Sequence, residues 1–180
     1  MLGVFILIAV VAIIVILLIV IAMRPADFRY ARSATIAAPP GVVFGHVNDF
    51  KKMDTWSPWL KFDPNVKITH EGPPSGVGAI ESWEGNKNVG AGRMTMTESR
   101  PNDLIRLKLE FFRPFAATNA AEFTFKPEAA GTTVTWAMTG KYNFMTKAMG
   151  LFMNMDKMIG GNFEKGLAEL KKIAESEARQ

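Results

Sequence analysis

The feature that most constrains this chain is its first stretch. From Leu2 to Met23 there is no charged residue, no polar side chain and no proline. As a helix, those residues span about 33 Å at about 1.5 Å each, against a hydrocarbon core about 30 Å thick. Ile, Leu, Val and Phe dominate, and each favours insertion by about 0.3–0.6 kcal/mol with no charge in opposition. The run therefore reads as a transmembrane helix. A cleaved signal peptide is the competing reading, but it calls for a basic leader, a shorter apolar core and a small-residue cleavage site. No Lys or Arg precedes this run, and only Val20-Ile21-Ala22 faintly resembles such a site. Residues 1–24 are thus expected to be a membrane anchor, with residues 25–180 forming one domain. Arg24, Arg29 and Arg32 follow closely, and by the positive-inside rule they place that domain in the cytoplasm.

About 150 residues remain after the anchor, enough for one core and too few for two full domains. The chain has no cysteine, which excludes disulfides, thiolate metal sites and cysteine nucleophiles. Its two histidines, His46 and His70, cannot make a histidine-rich metal centre. The net charge of +4 suits a domain held near anionic lipid as well as it suits an ordinary solvated surface. No dense Lys/Arg run points to nucleic acid.

After Pro25, Phe28 to Ile36 has strand character. Ala37-Ala38-Pro39-Pro40 opens a short helix that carries Val42, Val43, Phe44, His46 and Val47, and a second helical piece covers Phe50 to Trp56. Strands are expected at Val66–His70, Ala79–Glu84, Gly92–Ser99, Asp103–Phe111, Ala117–Lys126 and Thr132–Gly140. Met94 and Met96 alternate with threonines, Leu107, Leu109 and Phe111 with charged residues, and Phe123, Phe125, Trp136 and Met138 with polar ones. One apolar and one polar face is the pattern of an antiparallel sheet covered on one side. The cover is the segment from Asn143 to Glu177. There Met145, Met149, Phe152, Ile159, Phe163, Leu167, Leu170 and Ala174 recur at three- and four-residue steps, predicting one long amphipathic helix. The expected fold is α+β: a curved antiparallel sheet of about seven strands gripping a long C-terminal helix, plus the anchor.

This order resembles the START-like superfamily, the polyketide cyclase/dehydrase and lipid-transport (SRPBCC) group. The likeness is carried by the first strand running into Ala37-Ala38-Pro39-Pro40 and Val43-Phe44, and by Trp56-Ser57-Pro58-Trp59. To these are added Gly76-Val77-Gly78 before a strand bearing Trp83, and the closing Gly166-Leu167-Ala168-Glu169-Leu170-Lys171. It covers about Phe28 to Glu177. The resemblance implies a helix-grip fold with a deep apolar cavity between sheet and helix, and it supplies no shared catalytic residue. The membrane anchor departs from the group's best-known soluble members.

On that footing the candidate cavity residues are Trp56, Trp59, Trp83, Met94, Met96, Leu107, Leu109, Phe111, Phe123, Phe125, Trp136, Met138, Met145, Met149 and Phe152. A filled core is the alternative for the sheet face, and the tryptophans could equally line the cavity mouth or plug it. The methionines favour a surface that accepts variable apolar shapes. The loop Glu71–Gly78 is glycine-rich, but it lacks a Lys-Ser/Thr pair and precedes a strand, so it reads as a hairpin connection and not a phosphate cradle. Among His46, His70, Asp49, Asp54, Glu71, Glu81 and Glu84 no spacing suggests a metal site. His46, near a helix end, reads as a surface or capping residue, and no serine sits in a nucleophile elbow. Gly150, Gly160, Gly161 and Gly166 in the last helix call for either close approach to the sheet or flexibility. No metal or cofactor is called for. The expected function is a membrane-tethered binding module for a lipid or other apolar molecule, with membrane lipid as partner and no nucleic acid. The alternatives are a cyclase/dehydrase-type enzyme and a non-catalytic protein-interaction scaffold.

If Leu2–Met23 is retained in a bilayer, the full-length chain should stay with the membrane fraction through high-salt and carbonate washes. Recovery in the soluble fraction would overturn the anchor.

Overall fold

The alternating strands assemble into one seven-stranded antiparallel sheet. A computed structural model describes residues 2–180. Helix α1 (Leu2–Met23) is followed by β1 (Asp27–Ile36), α2 (Pro40–Asn48) and α3 (Phe50–Asp54), then a 3-10 turn at Trp59–Phe62. Next come β2 (Lys67–Glu71), β3 (Ile80–Glu84), β4 (Ala91–Arg100), β5 (Leu104–Arg113), β6 (Ala117–Glu128) and β7 (Gly131–Lys141). Two helices close the chain, α4 (Phe144–Met149) and α5 (Met155–Glu177). The strand order is β1-β7-β6-β5-β4-β3-β2, so the first strand pairs with the last and the meander β2–β7 fills the rest.

Local chemistry sets the element ends. Pro39 and Pro40 start α2, where a missing N–H costs nothing. The Asp49 carboxylate caps α3 by accepting from the Lys51 amide at 2.9 Å. Gly72, Gly76 and Gly78 adopt positive φ in the connection between β2 and β3, the role expected of that loop.

The long helix expected from Asn143 is broken. Asn143 caps α4 through the Thr146 amide, and Asn154 caps a new start through the Lys157 amide, each at 2.9 Å. Two asparagines that satisfy the backbone locally, with Gly150 between them, make two helix starts from one apolar periodicity. Residues 150–154 thus form a corner between α4 and α5.

Register carries the alternating residues onto one concave face. Tyr30, Met138 and Ala121 lie side by side, as do Trp136 and Phe123, and Leu107 and Met96. Helix α5 lies across this face. Phe163 stacks on Trp136 with ring centroids 4.2 Å apart and planes 13° from parallel. Trp136 stacks in turn on Phe123 at 5.0 Å, and Trp56 meets both edge-on. Each such pair contributes about 0.5–1.5 kcal/mol beyond its buried area.

Two polar ties hold the ends of α5. Arg32, on the inner face of β1, donates to Asp156 at 2.9 Å and to Glu164 at 2.7 Å. At the other end, His46 Nε2 meets Glu177 Oε2 at 2.8 Å. His46 is buried, which corrects its reading as a surface or capping residue. Its backbone carbonyl also accepts from the Trp56 indole at 3.0 Å, so α2 packs where Trp56 and the end of α5 meet.

Close approach accounts for two of the helix glycines. A Cβ at Gly166 would come within 2.8 Å of the Trp136 ring and 3.0 Å of Pro58, and one at Gly160 would overlap the Arg32 guanidinium. Gly161 faces open space, and nothing in the structure explains it. Gly166→Ala should therefore cost roughly 1–3 kcal/mol through overpacking, whereas Gly161→Ala should gain up to about 1 kcal/mol from helix propensity. Thermal melts of the two variants in detergent check this. Equal effects would contradict the packing described.

Candidate functional site

The concave face is not closed evenly. Toward α2 it is sealed: Ile36, Val134, Phe125 and Ile105 are buried beneath Val43, Val47, Leu170 and Ala174. Toward the end where α1 enters, the inner-face residues are half-buried. Phe28, Met138, Phe111, Met94 and Trp83 form a band from β1 to β3, contributed by every strand of that stretch but β6. Small residues let rings lie over the sheet there. A Cβ at Gly92 would meet the Trp83 ring, and one at Gly140 would meet Phe28. Trp83 packs edge-on to Phe111 at 5.6 Å and donates from its indole to the Val89 carbonyl at 3.3 Å.

At this open end lies a pocket of about 550 Å³ between β1, Tyr142 just past β7, α4 and the α4–α5 corner. Its apolar wall is Tyr30, Tyr142, Leu151, Phe152, Met153 and Met155, and its polar rim includes Arg24, Asp27, Lys147 and Asp156. Tyr142 stacks on Phe28 at 4.7 Å, joining the pocket to the half-buried band. The pocket abuts the last turn of α1: Lys147 Nζ donates to the Ala22 carbonyl at 3.2 Å, and Arg24 Nη1 donates to the Lys147 carbonyl at 3.5 Å. Around its mouth Phe144, Met145, Phe152 and Met153 are exposed, Phe152 at 85%.

The residues singled out from sequence separate into three groups. Trp56, Met96, Leu107, Leu109, Phe123, Phe125 and Trp136 are buried, and the middle of the grip is occupied by the Trp56–Phe123–Trp136–Phe163 stack. Trp83, Met94, Phe111 and Met138 belong to the half-buried band. Phe152 lines the pocket, while Met145 and Met149 lie on the neighbouring α4. Trp59 stands apart on the 3-10 turn, beside Phe62.

A second constellation was not visible in the sequence. Asp54 at the end of α3, His70 on β2 and Glu81 on β3 converge, with one potential ligand atom from each within 4.8 Å of the others. His70 and Glu81 are direct cross-strand partners. His70 Nε2 lies 3.2 Å from Asp54 Oδ2 and 3.6 Å from Glu81 Oε2. The usable signal was the β2–β3 hairpin, whose inward phase at Trp83 also turns Glu81 inward. Burial, and then the adjacent Asp54 carboxylate, push the Glu81 carboxyl up to about 9. Burial raises Asp54 as well, against a hydrogen bond from the Glu81 carboxyl and the pull of His70. One imidazole and two carboxyls could share a proton or hold a cation.

A curved antiparallel sheet wrapped on a C-terminal helix, open at one end over an apolar pocket, defines a helix-grip protein. The family model described as polyketide cyclase/dehydrase and lipid transport matches residues 27–175, and the chain belongs to that family. No curated protein matches the sequence. Among solved structures, a protein from Chromobacterium violaceum is similar, with 16% identity and a TM-score of 0.58 over 84% of this chain and 99% of that one. The di-domain ARO/CYC protein StfQ of the steffimycin biosynthetic pathway is also similar, with 13% identity and a TM-score of 0.62 over 86% of this chain and 53% of that one. The Aha1 dimer from Colwellia psychrerythraea is similar at 14% identity and a TM-score of 0.58, over 82% and 96% of the two chains. At these identities the likeness concerns fold.

Glu81 gives the fold a pH dependence. Below its unfolded value of 4.5 both states carry the proton. Between 4.5 and about 9 the unfolded chain loses it while the folded chain keeps it, so this stability is lost as pH rises. With chelator present, Glu81→Gln should raise the melting temperature more at pH 8 than at pH 5. Parallel melting of wild type and variant across that range would refute a buried neutral carboxyl.

Proposed function

We propose that this chain is a membrane-tethered module that binds an apolar small molecule or lipid at the open end of its grip, taking it up from the bilayer. The observation that carries this reading is where the pocket lies. The 550 Å³ space abuts the last turn of the 22-residue apolar helix, at the end of the grip where the apolar face is half-exposed. With α1 across a bilayer, α4 and the 150–154 corner lie at the lipid interface. The exposed Phe144, Met145, Phe152 and Met153 then meet acyl chains instead of water, and Arg24 and Lys147 meet head groups. An apolar ligand passing from the bilayer into the pocket, toward Met138, Phe111, Met94 and Trp83, would never cross water. Tyr142 and Tyr30 offer hydroxyls for a polar end.

A second reading, an enzyme of the cyclase/dehydrase kind, is favoured by Glu81, an inward buried acid held neutral beside His70. The likeness in fold to the di-domain ARO/CYC protein StfQ is in keeping with it.

To test binding, the full-length chain in nanodiscs is titrated with a fluorescent fatty acid, with empty nanodiscs as reference. Binding should saturate near one probe per chain and be displaced by unlabelled competitor. Leu151→Trp and Met138→Trp, which fill the pocket and the band, should each weaken it at least about ten-fold with little change in melting temperature. Binding no different from empty nanodiscs, or untouched by both substitutions, would overturn the proposal.

A further inference from the structure

We infer that Asp54, His70 and Glu81 form a binding site for a first-row divalent cation of the zinc type, with one coordination position left open. The site is separate from the apolar pocket. Glu81 is its foundation. The side chain is 5% exposed, it turns inward from β3, and its Oε2 accepts no hydrogen bond. A buried carboxylate oxygen without a partner is costly, and such atoms are rare in folded proteins. Here the unpartnered oxygen points at an imidazole nitrogen and a second carboxylate.

The spacing fits a shared ion. Ligands about 2.1 Å from a common metal sit about 3.0–3.4 Å from one another, from octahedral to tetrahedral. The Asp54–His70 separation of 3.2 Å falls in that range and the His70–Glu81 separation of 3.6 Å just above it, so a small inward shift would seat an ion, the whole set already lying within 4.8 Å. A cation would displace to solvent the proton that Glu81 otherwise keeps, and would partner the orphaned oxygen together with Asp54 and His70.

Donor chemistry selects the ion. One imidazole nitrogen with two carboxylate oxygens suits zinc, manganese or iron, whereas magnesium and calcium favour oxygen alone. Among these, zinc binds such sets more tightly than manganese or ferrous iron. Three protein ligands leave the fourth place free, the pattern of sites that hold an exchangeable water or substrate oxygen. Access is present: a pocket of about 180 Å³, bounded by Phe50, Lys51, Pro73, Ala79 and Ile80, opens onto His70. Asp54 and His70 keep 22% and 27% of their side chains exposed, so the ion need not cross the core. The chain's other histidine, His46, is buried and already has Glu177 as a side-chain partner.

The experiment is a calorimetric titration of zinc chloride into untagged, chelator-stripped full-length chain in detergent. One equivalent should bind with a dissociation constant at or below micromolar, and the melting temperature should rise with zinc. Losing even an outer-sphere partner costs metal sites 10–100-fold, so Glu81→Gln and His70→Ala should each bind at least about a hundred-fold more weakly. Glu81→Gln preserves shape and neutrality, so it decides the matter even if His70→Ala unfolds. Absence of a saturable equivalent in wild type would overturn the site, as would wild-type affinity in Glu81→Gln.

Discussion

The stack of Phe163 on Trp136 is the contact on which the rest of the molecule depends. A seven-stranded sheet with one apolar face must be covered, and α5 is long enough to cross it only if it lies close. Gly166 allows that approach, because any Cβ there would strike the Trp136 ring. With the helix seated, Trp136, Phe123 and Trp56 close the middle of the grip. Arg32 with Asp156 and Glu164 then sets one end of α5, and His46 with Glu177 sets the other. These polar ties position the helix, while most of the stabilisation comes from the apolar surface they bring together.

Seating α5 in this way grades the concave face from sealed to open. The α2 end is ordinary close-packed core. At the other end α4 turns away at residues 150–154, and the face is left half-covered beside the last turn of the apolar helix. Structure and proposed function meet at that corner. A continuous helix from Asn143 would have carried the apolar stripe onward in one direction. The break places Leu151, Phe152 and Met153 around a pocket. The Asp54–His70–Glu81 group lies away from this corner, near the far edge of the sheet, where α3 meets the β2–β3 hairpin.

Much of the fold was legible because period-two and helical patterns report burial directly. Leu107, Phe123 and Trp136 face inward as their alternation required, and the strands fall within a residue or two of their expected bounds. Legibility stopped where an outcome depended on competition or on distant pairing. The apolar periodicity of Met145, Met149 and Phe152 continues that of α5, so it could not reveal that Asn154 captures the backbone and restarts the helix. His46 reads as a polar residue near a helix end, and only the return of α5 buries it against Glu177. Asp54, His70 and Glu81 have no motif spacing. Two are joined by hairpin register and the third by the docking of α3, both of which are tertiary facts. Gly166, by contrast, announced a close approach, and the Trp136 ring supplies it.

The proposed function requires that the grip open toward the bilayer and take its ligand there. The most direct measurement delivers a photoactivatable fatty acid through the membrane to the full-length chain, irradiates it, and maps the adducts by peptide mass spectrometry. Adducts are expected on the pocket wall, at Tyr142, Leu151, Met153 or Met155, and a non-reactive fatty acid should suppress them. Adducts confined to Leu2–Met23, unchanged by competitor, would contradict it.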